Sequence, residues 1–134
     1  MPDVMKSLRS AGALCAGGHV EQAFAAVANL WDELPSDKVE TPNAYLVIEY
    51  AVALLLQLHR LEDARIWAEL GLSFREKRQD RGEAEFLVAK VAYEQGFLDE
   101  AREFLAVAAR KSNGRILHGE DSKYRALLQS SLEG

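Results

Sequence analysis

The same six-residue turn pattern occurs three times in this chain. Each copy has a turn residue, an apolar residue two positions later, acidic or amide side chains and a small Ala. The copies are Gly18 to Ala23, His59 to Ala64 and Gly96 to Ala101, and their alanines lie 41 and 37 residues apart. Glycine permits the left-handed backbone that often ends a helix, and acidic side chains favour the start of the next one. Self-similarity at this period predicts helical hairpins that bury their apolar faces on one another.

Composition points to helix throughout. Ala and Leu supply 39 of the 134 residues, whereas Val, Ile and Thr supply only 13. Ala and Leu lose little free energy on entering a helix, and β-branched residues are the usual strand formers. No segment alternates apolar and polar residues over the length of a strand. The sequence therefore predicts an all-α fold.

Apolar residues at steps of three and four predict seven helices. Their approximate ranges are 3–16, 20–34, 42–58, 61–74, 81–95, 98–112 and 122–132. Thr41 followed by Pro42 indicates the N-cap and first position of the third helix. Asp80 and Glu83 are spaced as a capping box for the fifth, and Asp121 is placed as N-cap of the seventh.

The third helix contains the most apolar run of the chain. Tyr45 to Leu58 has 12 apolar residues in 14, interrupted by Glu49 and Gln57. A membrane span needs about 20 consecutive apolar residues. The run therefore predicts a helix buried on most sides, and no membrane segment.

The three turns and their flanking helices resemble the tetratricopeptide repeat family, whose 34-residue unit carries a similar G-x-[YL]-[ED]-x-A turn. The first unit matches best, through Ala11, Gly18, Ala23 and Pro35. In the second unit His59 stands in place of the turn glycine, and neither later unit has the closing proline. The alternative is a non-repetitive helical bundle that uses similar turns.

This resemblance implies a single domain over residues 1–134. Its fold would be a right-handed α-α superhelix of three tetratricopeptide-like hairpins, at about residues 4–37, 42–78 and 82–114. A capping helix at about 122–132 would cover the last hairpin.

In such repeats the first helix of each hairpin lines a concave face, where extended peptides or partner helices lie. Carried over column by column, the resemblance implies a set of partner-binding residues in the second and third units: Leu46, Glu49, Ala53, Gln57, Glu83, Phe86, Lys90, Tyr93 and Glu94. The matching columns of the first unit hold Met5, Leu8, Gly12 and Cys15. For the apolar members the alternative is ordinary core packing. The Lys and Asn clamp with which some family members grip chaperone tails is absent, since Leu8, Gly12, Glu49 and Ala53 stand there.

No motif for catalysis or metal binding occurs. The chain has no GxGxxG, GxxxxGK[ST], HExxH or GxSxG, and its three histidines are not spaced as metal ligands. Residues 118–121 hold an imidazole and two carboxylates that could hold an ion weakly, but the cap is the plainer role for Asp121. Cys15 has no basic neighbour in sequence, so a structural thiol is favoured over a nucleophile. We expect no enzyme activity, no cofactor and no metal.

The charge of the chain narrows its partners. The net charge is −5, and residues 1–58 hold seven acidic and three basic side chains. Nucleic-acid binding draws on clustered Lys and Arg, and no block of five like charges occurs. We therefore expect no nucleic-acid partner. A single cysteine fits a reducing compartment, and the first ten residues have no apolar signal region, so a cytoplasmic location is expected.

The expected function is that of a non-catalytic protein-protein interaction module. An acidic surface suits a basic polypeptide partner, which makes a toxin-neutralising immunity protein the first hypothesis. The alternative for this charge is ordinary solubility. A secretion-type chaperone and a self-assembling structural scaffold are the alternatives. The chain itself is expected to be a monomer or a weak homodimer.

Overall fold

The computed structural model describes residues 2–75 and 81–133, with side chains as far as residue 130. All regular structure in these stretches is helical, which confirms the all-α prediction. The seven α-helices are α1 (Val4–Ala16), α2 (Val20–Glu33), α3 (Ala44–Gln57), α4 (Leu61–Gly71), α5 (Glu83–Gln95), α6 (Leu98–Ser112) and α7 (Ser122–Glu133). Two short 3-10 helices, Leu72–Phe74 and Arg115–Leu117, follow α4 and α6.

Two helix starts are capped by aspartates, of which the cap at Asp121 is the predicted one. The Asp3 carboxylate accepts a hydrogen bond from the backbone N–H of Lys6 at 3.1 Å, and α1 begins directly after it. Asp121 accepts from the N–H of Lys123 at 3.0 Å and precedes α7. An acceptor at this position satisfies an N–H that the first turn of a helix leaves without a partner.

The predicted start of α3 is wrong. The helix begins at Ala44, and its N-cap is Asn43 in the left-handed region at φ 66°. The Thr41 hydroxyl donates to the carbonyl of Asp37 at 2.8 Å and therefore closes the preceding turn. For α5 the N-cap is Gly82, and Asp80 of the predicted capping box lies outside the described residues.

The three repeated turns share one backbone geometry. Gly18, His59 and Gly96 all take a positive φ, of 87°, 55° and 85°. In each turn the following N–H bonds back to a carbonyl of the preceding helix, as in His19 to Leu14 and Phe97 to Ala92. His59 thus occupies the position of the two glycines, in a conformation that residues other than Gly adopt at a cost.

The chain divides into two compact units, Met1–Phe74 (the first unit) and Arg75–Gly134 (the second unit), which are distinct from the three predicted repeat units. In the first unit α1 packs on α2, α2 on α3, and α3 on α4. Its core is centred on α3, whose Ile48, Val52 and Leu55 are fully buried. This burial explains why the apolar run of α3 extends round most of the helix.

The second unit is built from α5, α6 and α7. Its core joins Phe86, Leu105, Leu117, Tyr124 and Leu127 with a set of small alanines. These alanines, at positions 89 and 92 of α5 and 101 and 108 of α6, are fully buried. The helices can therefore approach closely along this face. Within residues 2–75 and 81–133, no helix is long and apolar enough to cross a membrane.

Candidate binding site

A groove of about 450 Å³ opens in the first unit on one side of α1 and α3. We call it the α1–α3 groove. α1 contributes Ala11, Gly12, Cys15 and Ala16, and α3 contributes Glu49, Tyr50, Ala53, Leu54 and Gln57. This size, with mainly apolar walls and a few polar groups, is typical of protein ligand sites.

Small side chains leave the α1–α3 groove open. Four of its lining residues are Ala or Gly on α1 and α3, where larger side chains would fill the space. At Gly12 the position of an added Cβ has no atom within 4 Å outside the local helix backbone. The thiol of Cys15 donates to the Gln57 side-chain oxygen at 3.6 Å, which joins the two helices across the groove.

The lining of the groove is mainly apolar, and its charge is negative. Glu49 supplies the one charge among its lining residues in the described part of the chain. Residues 1–74, which form the first unit, carry ten acidic and five basic side chains, and residues 75–134 carry eleven of each. The first unit therefore holds the whole net charge of −5, and its potential favours a cationic partner.

The predicted partner-binding residues within residues 1–74 come together only in part. Glu49, Ala53 and Gln57 line the groove, together with Gly12 and Cys15 from the first repeat. Leu46 is half-buried and lies outside the lining. Leu8 is 2% exposed and lies in the core, as the alternative of ordinary core packing expects. Met5 is 43% exposed and is therefore not a core residue.

Four lining residues were missed by the sequence reasoning: Ala11, Ala16, Tyr50 and Leu54. A signal for Ala16 was available, because it lies four residues after Gly12, and a helix brings such pairs onto one face. Tyr50 and Leu54 are likewise four residues apart on α3. Tyr50 is 40% exposed, so it presents a large aromatic ring at the groove.

In the second unit α7 covers most of the predicted residues of α5. Phe86 and Tyr93 each pack edge-on against Tyr124 with ring centroids 5.5 Å apart. Lys90 pairs with Glu120 at 3.1 Å, and Lys123 with Glu94 at 2.6 Å. Phe86 is only 4% exposed. These side chains thus make intramolecular contacts here, and their role toward a partner stays a prediction.

Two groups of α7 titrate abnormally because of these contacts. The hydrogen bond to Glu94 raises the pKa of the Lys123 amine above 10.5. Burial raises the pKa of the Tyr124 phenol above 10.0. Both shifts favour the protonated side chain in the folded protein.

Glu83, the remaining predicted residue, lines a second cavity of about 320 Å³. Arg81, Lys111 and Arg115 lie around it, so it is more basic than the α1–α3 groove. Beside it the Glu85 carboxylate is buried and accepts from the ammonium of Lys111 and, at 3.5 Å, from Arg75. A buried carboxylate needs such cations, because its desolvation is otherwise costly.

No group of three or more His, Cys, Asp or Glu side chains converges as a metal site among the described residues. Comparison of the chain with protein-family models, with curated proteins and with solved structures gives no match. The geometry of the α1–α3 groove is therefore the main structural guide to function.

Proposed function

We propose that this chain is a non-catalytic module that binds a polypeptide partner in the α1–α3 groove. The observation that carries the proposal is the groove itself, an open, mainly apolar space between two helices with one acidic side chain in its lining. Apolar grooves between helices are a recurrent way to hold a peptide segment or an amphipathic helix. The exposed ring of Tyr50 adds the type of aromatic anchor that dominates binding at protein interfaces.

The partner that fits this charge distribution is basic. Opposite charge speeds association and disfavours acidic competitors. A basic toxin neutralised by this chain, as an immunity protein, meets that requirement, and so does a basic secretion substrate held by a chaperone. The cytoplasm suits the single thiol of Cys15.

We further propose that the hairpins α1–α2, α3–α4 and α5–α6 form a tetratricopeptide-like superhelix. The support is the shared left-handed turn at Gly18, His59 and Gly96, together with the packing within each hairpin. The binding proposal does not depend on this arrangement, because the groove is formed within residues 1–74 alone.

The single cysteine provides a direct test of the binding proposal. We would select binders from a displayed library of random 12-residue peptides on the immobilised full chain, and measure their affinity by fluorescence polarisation. Each binder is measured again after Cys15 has been coupled to a bulky maleimide. Because Cys15 lines the groove, the adduct should abolish binding of groove ligands.

The control is Cys15→Ser exposed to the same reagent, which should bind the same peptides as the untreated chain. Peptides whose binding is lost with the adduct and kept in the control support the proposal. Selection that yields no such peptides from a library of ample diversity would overturn it.

A further inference from the structure

Gly12 lies in the middle of a helix, and the fold does not require a glycine at this position. It lies in the interior of α1, and no positive φ is found at this position. A glycine in a helix interior is destabilising relative to alanine. Such a residue often allows a second helix to come close, but here an added Cβ would meet no atom within 4 Å. Internal packing therefore gives no reason for the missing side chain.

The space above Gly12 belongs to the α1–α3 groove. Ala11, Ala16 and Ala53 also belong to the lining, so short side chains from both helices form much of the floor of the groove. A floor of this shape can accept a side chain that projects from a bound segment. An apolar side chain gains most there, because burying its surface removes it from water.

Glu49 adds a charge requirement in the same groove. It belongs to the lining, and it stands in a helix whose other residues are uncharged. A cationic group on the ligand would be attracted to this carboxylate and to the net charge of −5 that residues 1–74 carry.

We propose that the α1–α3 groove selects a partner segment with two features. One is a large apolar side chain that occupies the space over Gly12, and the other is a Lys or Arg side chain that pairs with Glu49. This inference rests on the proposed function, and it specifies the chemistry of the partner at that site.

The experiment repeats the peptide selection on the full-length wild type and on substituted chains. On Glu49→Lys we expect peptides rich in Asp and Glu in place of Lys and Arg. Peptides selected on the wild type should bind Glu49→Lys about tenfold more weakly, since attraction becomes repulsion in a partly desolvated site. Glu33→Lys makes the same charge change on an exposed part of α2 and should leave the affinity within about twofold.

For the apolar side chain, Gly12→Leu should weaken the wild-type peptides by about tenfold or more by filling the space they use. Ala13→Leu is the matched control, because Ala13 is exposed on the same helix and lies outside the lining. If Gly12→Leu does not fold, Gly12→Ala replaces it, with an expected loss of about threefold in affinity.

The outcomes separate the two proposals. Peptides that are blocked by the Cys15 adduct but bind Glu49→Lys as well as the wild type overturn the selectivity inference and leave the proposed function in place. The selectivity inference is likewise overturned if neither Gly12 variant changes their affinity. Absence of any peptide sensitive to the adduct overturns the proposed function and the inference with it.

Discussion

Gly12 and Gly82 differ in what a methyl group would meet. At Gly12 the space is open and the backbone is helical. At Gly82 φ is 86°, and an added Cβ would lie 2.7 Å from both the Cα and the carbonyl oxygen of Ala108. The first glycine is therefore dispensable for folding, whereas the second allows α5 to start against α6.

Gly12→Ala should stabilise the chain by about 0.5–1 kcal/mol, because alanine reduces the entropy of the unfolded state and no clash opposes it. Urea unfolding followed by circular dichroism measures the change. Ala13→Gly, at an exposed position of the same helix, should destabilise the chain by a similar amount. A destabilising Gly12→Ala would show that the space above Gly12 is needed by the fold.

Gly82→Ala should cost about 3 kcal/mol, since left-handed strain adds to overlap with the backbone of α6. Gly96→Ala is the matched control. Its φ of 85° imposes the same strain, but no atom lies within 4 Å, so the expected cost is about 1 kcal/mol. Equal losses in urea unfolding would contradict the close approach at Ala108.

At the scale of elements, α7 attaches to the second unit through few apolar groups. Tyr124 and Leu127 are its buried side chains within the range described. Lys123 of α7 pairs with Glu94, and Glu120, just before the helix, pairs with Lys90. Arg102 and Arg125 add hydrogen bonds to carbonyls of Leu127 and Leu117. The protonation states of Lys123 and Tyr124 should therefore affect the free energy of unfolding.

Unfolding should become easier as the pH rises above 10. The folded-state pKa values of Lys123 and Tyr124 are both raised, so their contribution is complete below the unfolded values of 10.5 and 10.0 and is lost as the pH rises through the folded values. We expect Tyr124→Phe to reduce this loss, because it keeps the ring and removes the titration. Urea midpoints between pH 8 and 11.5 measure it.

Tyr50→Phe serves as the control for this pH series, because Tyr50 is 40% exposed and belongs to the first unit. It should keep the wild-type dependence on pH. If Tyr124→Phe and Tyr50→Phe give the same curve, titration of the Tyr124 phenol does not contribute to the pH dependence of stability.

Most elements of the fold could be predicted because their signals are local. Apolar periodicity and the repeated turn predicted all seven helices, and Asp121 caps α7 as expected. The N-cap predicted at Thr41 is wrong because a threonine before a proline fits either an N-cap or a turn. Here the Thr41 hydroxyl donates to the carbonyl of Asp37 and closes a turn. That choice depends on the path of residues 37–43, which no short pattern encodes.

The candidate site was only partly predictable. Column positions from the repeat identified Gly12, Glu49, Ala53 and Gln57 because a helix fixes which residues share a face. They could not show that Tyr124 covers Phe86 and Tyr93, since the docking of α7 depends on tertiary packing. Neither could they show that the space over Gly12 is open.

At the scale of the whole chain, the remaining alternative is self-assembly. Large apolar side chains are exposed on several elements, including Ile66 at 62% and Leu70 at 40% on α4, one helical turn apart. Scattered apolar residues are normal on a protein surface and do not by themselves form an interface. We therefore expect a monomer.

Light scattering from micromolar to near-millimolar concentration checks this expectation. The mass should stay at 14.9 kDa throughout. A mass that rises with concentration would favour the scaffold alternative. Ile66→Lys would then show whether α4 is the contact, and Glu62→Gln, at another exposed position of that helix, would control for the same change in net charge.

The shared turn geometry at Gly18, His59 and Gly96 has a consequence for chemical synthesis. A positive φ that strains an ordinary amino acid is the preferred region of its mirror image. The chain is short enough to be assembled from peptide fragments, and D-alanine at Gly18 or Gly96 would fix the turn in the conformation it already has. These turns are thus positions where a change of handedness, with no change of fold, can rigidify the protein.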